Sequence, residues 1–252
     1  MELIRYLLHM AISPLPVQRV KEILTAALRT RILVLGDVML DHFIWGNVSR
    51  ISPEAPVPVV EFNRESYMPG GAANVARNLS ALSVATELFS SIGEDNAGQQ
   101  LRSLLSEQHI GCGGLIALDS RPTSIKTRIV AHQQQVVRVD RESKQEIGST
   151  DAQTLLHALG KKIDGADAVI VGDYGKGVVT QPLLEGVKAL CHERGVWLSV
   201  DPKPVHHLNL AALSLITPNR KEAFDLADVP DGSRTANPLQ DKSLMLVADR
   251  LL

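Results

Sequence analysis

A chain of 252 residues, 44% of them hydrophobic, is long enough to bury a large core in one α/β domain or in one domain with an appendage. A formal charge of -2, a pI near 6.4 and scattered Lys and Arg give no electrostatic footprint for nucleic acid or an anionic membrane surface, so a small metabolite is the expected partner. Cys112 and Cys191 stand far apart with no Cys-x-x-Cys pair and no zinc-spaced His cluster, which reads as two reduced thiols in a cytoplasmic protein.

Residues 1–16, MELIRYLLHMAISPLP, are mildly apolar but broken by Glu2, Arg5 and His9. They are too short to span a bilayer, and their charges do not precede a clean apolar stretch, which argues against a signal peptide. Residues 1–30 are therefore expected to form a leader or a helix docked on a domain over 31–252, and no later stretch reads as a membrane span. The first strand is expected at Ile32–Leu35, and GDVMLD sets Asp37 and Asp41 just past its end. Carboxylates there could accept hydrogen bonds from hydroxyl groups, although an Asp after a strand is often only a turn or cap residue. Val57–Phe62 and, further on, Ile125–Asp140 alternate like strands without intervening helices. They read as a small β-layer with lid segments near residues 42–62 and 120–140.

Between those segments lies YMPGGAANVARNL, with two glycines, two alanines and Asn74 just where a helix begins. Small residues there let something approach the backbone closely, and the free N–H groups of a helix start favour negatively polarised groups. Tight packing of the helix on a sheet would ask for the same residues. Ala72, Val75, Ala76, Leu79 and Leu82 recur at helical spacing, so one face packs while Gly70, Gly71 and Asn74 sit at the N-terminal end. Together with Asp37 and Asp41 they would suit a polyol or a sugar.

Downstream, Thr150 can cap a helix around Leu155–Leu159, and Thr180 can cap one that has Pro182 in its first turn and stops near Gly195. Apolar runs at Ala168–Val171, Val196–Val200 and Leu213–Thr217 alternate with these helices. The alternation implies a doubly wound, mostly parallel α/β sheet. No P-loop and no Gly-x-Gly-x-x-Gly follows a strand, so a nucleotide must be held another way. Three strand ends carry candidates: GDYGKG with Asp173 and Lys176, DPK with Lys203, and TPNRKE with Asn219, Arg220, Lys221 and Glu222. A lysine there could face phosphate as a point charge. Asn219 and Glu222 equally have the spacing of a capping box.

PGGAAN before a helix, Asp41 after the first strand, and Asn219 and Glu222 in TPNRKE resemble the ribokinase-like carbohydrate kinases. The further runs SRISPEAPVPVVEF, TSIKTRIVAHQQQVVRVD, GDYGKG and DPK resemble the kinase domain that phosphorylates D-glycero-D-manno-heptose 7-phosphate at its anomeric oxygen, for ADP-heptose and lipopolysaccharide core synthesis. That resemblance runs from about Arg31 to Leu252. It implies ATP and Mg²⁺ as cofactors and a sugar phosphate as substrate, with a homodimer through the lid as a further possibility. It implies sugar-hydroxyl contacts at Asp41, Gly70, Gly71 and Asn74, and makes Lys126, Arg128 and Arg138 on the lid strands partners for the second phosphate. Asn219 and Glu222 match the family's Asn-x-x-Glu motif near the triphosphate, with Glu222 reaching Mg²⁺ through water. The family's Gly-Ala-Gly-Asp motif, which supplies the anion hole and the general base, does not occur in these residues. The expectation is a domain whose C-terminal part is missing, as a fragment or a pseudo-kinase, with its base beyond Leu252 and no other Asp assigned to that role. The alternatives are another sugar kinase of the same family and a non-catalytic sugar-phosphate-binding or oligomerisation module.

Overall fold

The computed structural model describes residues 15–204, 208–233, 235 and 237–252. The expected leader therefore lies outside the described residues up to position 14. Beyond it, helix α1 (Val17–Ala27) buries none of its residues.

The main body follows from the apolar runs. Strand β1 (Arg31–Gly36) is central, and Leu33, Val34 and Leu35 are all buried. Because side chains alternate across a strand, Leu33 and Leu35 join one core while Val34 joins another on the opposite face. On one face pack α2 (Ala72–Ala81) and α3 (Asn96–Glu107), and on the other α4 (Ser149–Gly160) and α5 (Gln181–Arg194). Strands β4 (Ala85–Gly93), β5 (Gly111–Leu118), β8 (Ala168–Gly172), β9 (Trp197–Asp201) and β10 (Leu215–Ile216) complete a parallel sheet in the order β10-β9-β8-β1-β4-β5. The fold is thus the expected doubly wound α/β sheet. In register, Gly36 lies beside Gly172, and Gly172 beside Asp201, so three strands end level.

The second sheet, in the order β3-β2-β6-β7, consists of β2 (Val38–Ile51), β3 (Pro58–Gly71), β6 (Ile125–Ala131) and β7 (Gln134–Arg141). Only Asp37 separates β1 from β2, and β3 runs directly into α2, so this sheet grows out of the main one at the Gly-Gly pair. Its β2–β6 pairing is parallel, while β2–β3 and β6–β7 are antiparallel.

Two local readings are corrected. Helix α4 is capped by Gly148, whose extended backbone precedes the first turn, and Thr150 lies inside that turn. The expected strand at Leu213–Thr217 shrinks to two residues. Ser214 accepts the Leu198 N–H with its side chain at 3.1 Å, where a longer ladder would have used a carbonyl. Thr180 and Gly195 do cap α5 as expected, the latter in the left-handed region. A small cluster of Ala223, Phe224, Ala227 and Val247 joins α6 (Arg220–Leu226) to α7 (Lys242–Leu251). Among the described residues no helix is long and apolar enough to cross a membrane.

Phe89 on β4 is fully buried, and Gly114 on β5 lies so close that a Cβ there would overlap its ring. Phe89→Ala should therefore cost about 3–5 kcal/mol, read as a lower urea midpoint at unchanged m-value. A midpoint equal to that of the parent would show the cluster to be loosely packed.

Candidate functional site

The site starts from one residue between two strands. The Asp37 amide donates to the Gly172 carbonyl at 3.0 Å, and its own carbonyl accepts the Ala72 N–H at 2.9 Å. Its carboxylate accepts the N–H groups of Tyr174 (2.8 Å), Lys176 (3.0 Å) and Val178 (2.9 Å). The side chain is wholly buried, so Asp37 does not reach a sugar hydroxyl as expected; both of its oxygens hold the GDYGKG loop. Asp173 is corrected in the same way. It is buried and accepts the N–H groups of Gly175 (2.8 Å) and Lys203 (3.3 Å), so its carboxylate shapes the loop.

The small residues of the Gly-Gly pair have an intramolecular use. Gly71 has φ +61°, and a Cβ on it would overlap the Asp37 carbonyl; one on Gly70 would overlap the Asp41 carboxylate. Both the packing reading and the close-approach reading are thus partly met, since what approaches Gly70 is the very carboxylate proposed to hold a sugar. Asn74 lies half-buried in the first turn of α2, whose Gly71 cap offers no side-chain acceptor.

Asp41, Lys126, Arg128 and Arg138 come together on one face of the second sheet. In register Asp41 lies beside Lys126 and Lys126 beside Asp140, while Arg128 lies beside Arg138. Arg128 donates to Asp41, and its guanidinium stands 5.3 Å from the Phe43 ring centroid. Lys126 pairs with Asp140 at 2.9 Å, and Arg138 braces the same carboxylate at 2.8 Å. Hydrogen bonding and charge from Lys126 and Arg138 outweigh burial and hold the Asp140 carboxyl below its ordinary range.

At the level strand ends a second group assembles. Lys203 pairs with Glu222 at 2.9 Å. Asn219 and Glu222 form a complete capping box: the Asn219 side chain accepts the Glu222 N–H at 3.0 Å, and Glu222 accepts the Asn219 N–H at 2.9 Å. Burial pushes the Glu222 carboxyl up, but Lys203 and the Asn219 N–H outweigh it and leave it below the usual glutamate range. Asp201 goes the other way. Burial and then the charge of Glu222 raise it, against a weak hydrogen bond from Thr217 at 3.4 Å and the charge of Lys203. Burial also raises the Tyr174 phenol, with Asp201, Asp37 and Glu222 adding to the effect.

Asp201 and Tyr174 are the residues that motif reading passed over; the signal available for Asp201 was its place at the end of an apolar strand run. Lys221 is exposed. Arg220 is corrected, because its guanidinium turns away to Asp231 (2.6 Å) and Asp241 (2.9 Å) and stacks over Phe224, tying α6 to the cap of α7. No group of three or more His, Cys, Asp or Glu among the described residues forms a ready-made metal site. Asp201 and Glu222 do fit a hard divalent cation that keeps several waters and takes its other ligands from phosphate oxygens.

Comparison with known proteins bears on this arrangement. The family model described as pfkB family carbohydrate kinase matches residues 29–243. The chain is 41% identical over 199 residues to a bifunctional protein HldE of Sulfurimonas denitrificans, covering 79% of the chain and 42% of that protein. It is 43% identical over 207 residues to the protein of the same name from Wolinella succinogenes, covering 82% and 44%. The chain thus spans less than half the length of these relatives. In fold it is similar to the Arabidopsis thaliana ribokinase complexed with ribose and ATP (TM-score 0.62, 14% identity, 88% of this chain and 68% of that one).

Two substitutions test the construction of the site. Asp37→Asn removes charge from three hydrogen bonds and turns one acceptor into a donor, and it should cost about 1.5–3 kcal/mol of stability in urea unfolding. Gly71→Val should lower the thermal midpoint outright, because its φ and its contact with the Asp37 carbonyl both exclude a branched side chain. An unchanged midpoint in either variant would mean that the junction tolerates rearrangement.

Proposed function

The chain belongs to the pfkB family of carbohydrate kinases, and on that premise we propose that it is part of a kinase that transfers the γ-phosphoryl group of ATP to the anomeric oxygen of D-glycero-D-manno-heptose 7-phosphate, these residues supplying the binding groups and not the general base. It does so in the cytoplasm, with Mg²⁺, on the way to ADP-heptose and the lipopolysaccharide core. The observation that carries the substrate reading is the single face shared by Asp41 and the cations Lys126, Arg128 and Arg138. A carboxylate against a glycine is suited to sugar hydroxyls, and neighbouring fixed cations are suited to a substrate that already bears a phosphate.

On this reading Asp41, Gly70, Gly71 and Asn74 bind the sugar, while Lys126, Arg128 and Arg138 receive its phosphate end. Lys203, Asn219, Lys221, Glu222 and Asp201 face the nucleotide, and Asp201 and Glu222 hold the cation through water. When bound, Mg²⁺ supplies charge neutralisation at the transferred phosphoryl group. The general base is assigned to no residue of this chain. The second sheet pairs two copies, for which the exposed Ile51, Phe62, Val137 and Val139 provide apolar surface.

Calorimetry and a coupled ADP-release assay test the proposal. The chain should bind D-glycero-D-manno-heptose 7-phosphate in preference to ribose or fructose. Asp41→Asn should weaken that binding by about 1.5–3 kcal/mol, the worth of a hydrogen bond to a charged group, with nucleotide affinity unchanged. Equal sugar affinity of variant and parent would remove Asp41 from the site. Turnover of ribose or fructose instead would assign the chain to another kinase of the family, and sugar-phosphate binding without ADP release would favour a non-catalytic module.

A further inference from the structure

Where the second sheet meets the main one, two lysines from different sheets converge on one oxygen. Lys176, in the loop after β8, stands 2.7 Å from Glu142 Oε2, and Lys126, on β6, stands 3.3 Å from the same atom. All three side chains are largely buried, at 11%, 15% and 14% exposure for Lys176, Lys126 and Glu142. The lysines are not free to drift. The Lys176 N–H is held by Asp37, and its carbonyl accepts from Arg121, which also donates to the Ser143 carbonyl next to Glu142. Lys126 is held a second time by Asp140. Arg121 adds a third cation, and its Nη1 is buried without a hydrogen-bond partner among the described residues.

Two carboxylates are a poor match for this surround. Lys126, Lys176, Arg121 and Arg138 bring four cationic groups, whereas Asp140 and Glu142 supply two negative charges, and Glu142 meets both lysines through a single oxygen. A phosphate monoester supplies about -1.5 to -2 charges and three strong acceptor oxygens. Burial pushes the Glu142 carboxyl up, but the lysines outweigh it and keep it ionised below the ordinary glutamate range.

We propose that Glu142 is a placeholder for the phosphate of the sugar-phosphate substrate: it holds Lys126 and Lys176 together across the two sheets and is displaced from them when that phosphate binds. The inference rests on the sugar-phosphate reading above and names the residue that sets its charge specificity. Lys176 then belongs to the substrate's phosphate and not to the nucleotide. Glu142 is a positioning residue, and its displacement breaks two ion pairs to the lysines while the incoming phosphate makes new ones, with no covalent change.

Glu142→Gln tests this, because it keeps size and one acceptor but removes the competing charge. In calorimetry it should bind D-glycero-D-manno-heptose 7-phosphate, and inorganic phosphate as a second probe, about tenfold more tightly than the parent, as expected when one charged hydrogen-bond competitor is lost. Affinity for the unphosphorylated heptose should not move. A purely structural Glu142 would give equal or weaker phosphate binding, and that result overturns the proposal. If the Gln variant does not fold, Lys176→Met decides: it should weaken both phosphate ligands about tenfold and spare the neutral sugar, and unchanged phosphate affinity overturns the proposal. Parent protein that binds heptose phosphate while the variants show no such shift would leave the kinase reading standing and this one refuted. Variants that shift inorganic phosphate as stated, in a parent that ignores heptose phosphate, would do the reverse.

Discussion

The carboxylate of Asp37 is the point on which the rest of the molecule turns. It is a buried charge, and a buried charge is tolerated only where hydrogen bonds replace its water. Three backbone N–H groups from Tyr174, Lys176 and Val178 do so. Its main chain meanwhile bonds to Gly172 and Ala72, so a single residue fixes the ends of β1 and β8, the start of α2 and the loop that carries Lys176. The candidate site is therefore made of parts that share one fastening. The position of β2 and the Gly-Gly pair on one side, and of the loop that carries Lys176 on the other, both depend on what Asp37 ties down.

Two ladders of charge meet at this fastening. On the second sheet, Asp41, Lys126 and Asp140 alternate in sign across three neighbouring strands, Arg128 and Arg138 lie side by side next to them, and each acid is braced by a base. At the strand ends, Lys203, Glu222 and Asp201 form a smaller cluster in which one carboxyl is held down and the other pushed up. The two acids lie in one neighbourhood but answer differently, because Glu222 has a lysine at 2.9 Å and a backbone N–H, whereas burial and the charge of Glu222 raise Asp201 against a long Thr217 hydroxyl contact and the charge of Lys203.

Much of this was legible in the sequence, and what was not has physical reasons. The strands β1, β8 and β9 announce themselves because a strand covered on both faces must be apolar throughout, and α2 does so because its small residues fall at helical spacing. Asp37 and Asp41 look alike on paper. Their roles diverge only because Asp37 meets a loop 137 residues further along the chain, which no local pattern reports. Asp173 pairs the local Gly175 N–H with the more distant one of Lys203, and the partners of Arg220, Asp231 and Asp241, belong to a terminal cluster whose packing no spacing reveals. Glu142 and Arg121 carry no motif at all. They become meaningful only when two sheets are brought together. The Asn219–Glu222 spacing was ambiguous between a cap and a ligand, and the capping box is present without excluding the second use, because Glu222 stays beside Lys203 and near Asp201.

The parallel pairing of β2 with β6 has a consequence for how the chain assembles. His42 and Thr127, neighbours across that pair, are 85 residues apart in sequence, and α2, β4, α3 and β5 lie between them. The β2–β3 hairpin can close early and locally, but its second edge stays open until those four elements have been laid down and β6 arrives. On a ribosome this leaves a strand of fourteen residues with a vacant hydrogen-bonding edge for the time needed to make the intervening chain. The sheet that covers the site is thus also the part of the nascent protein most exposed to pairing with the wrong strand.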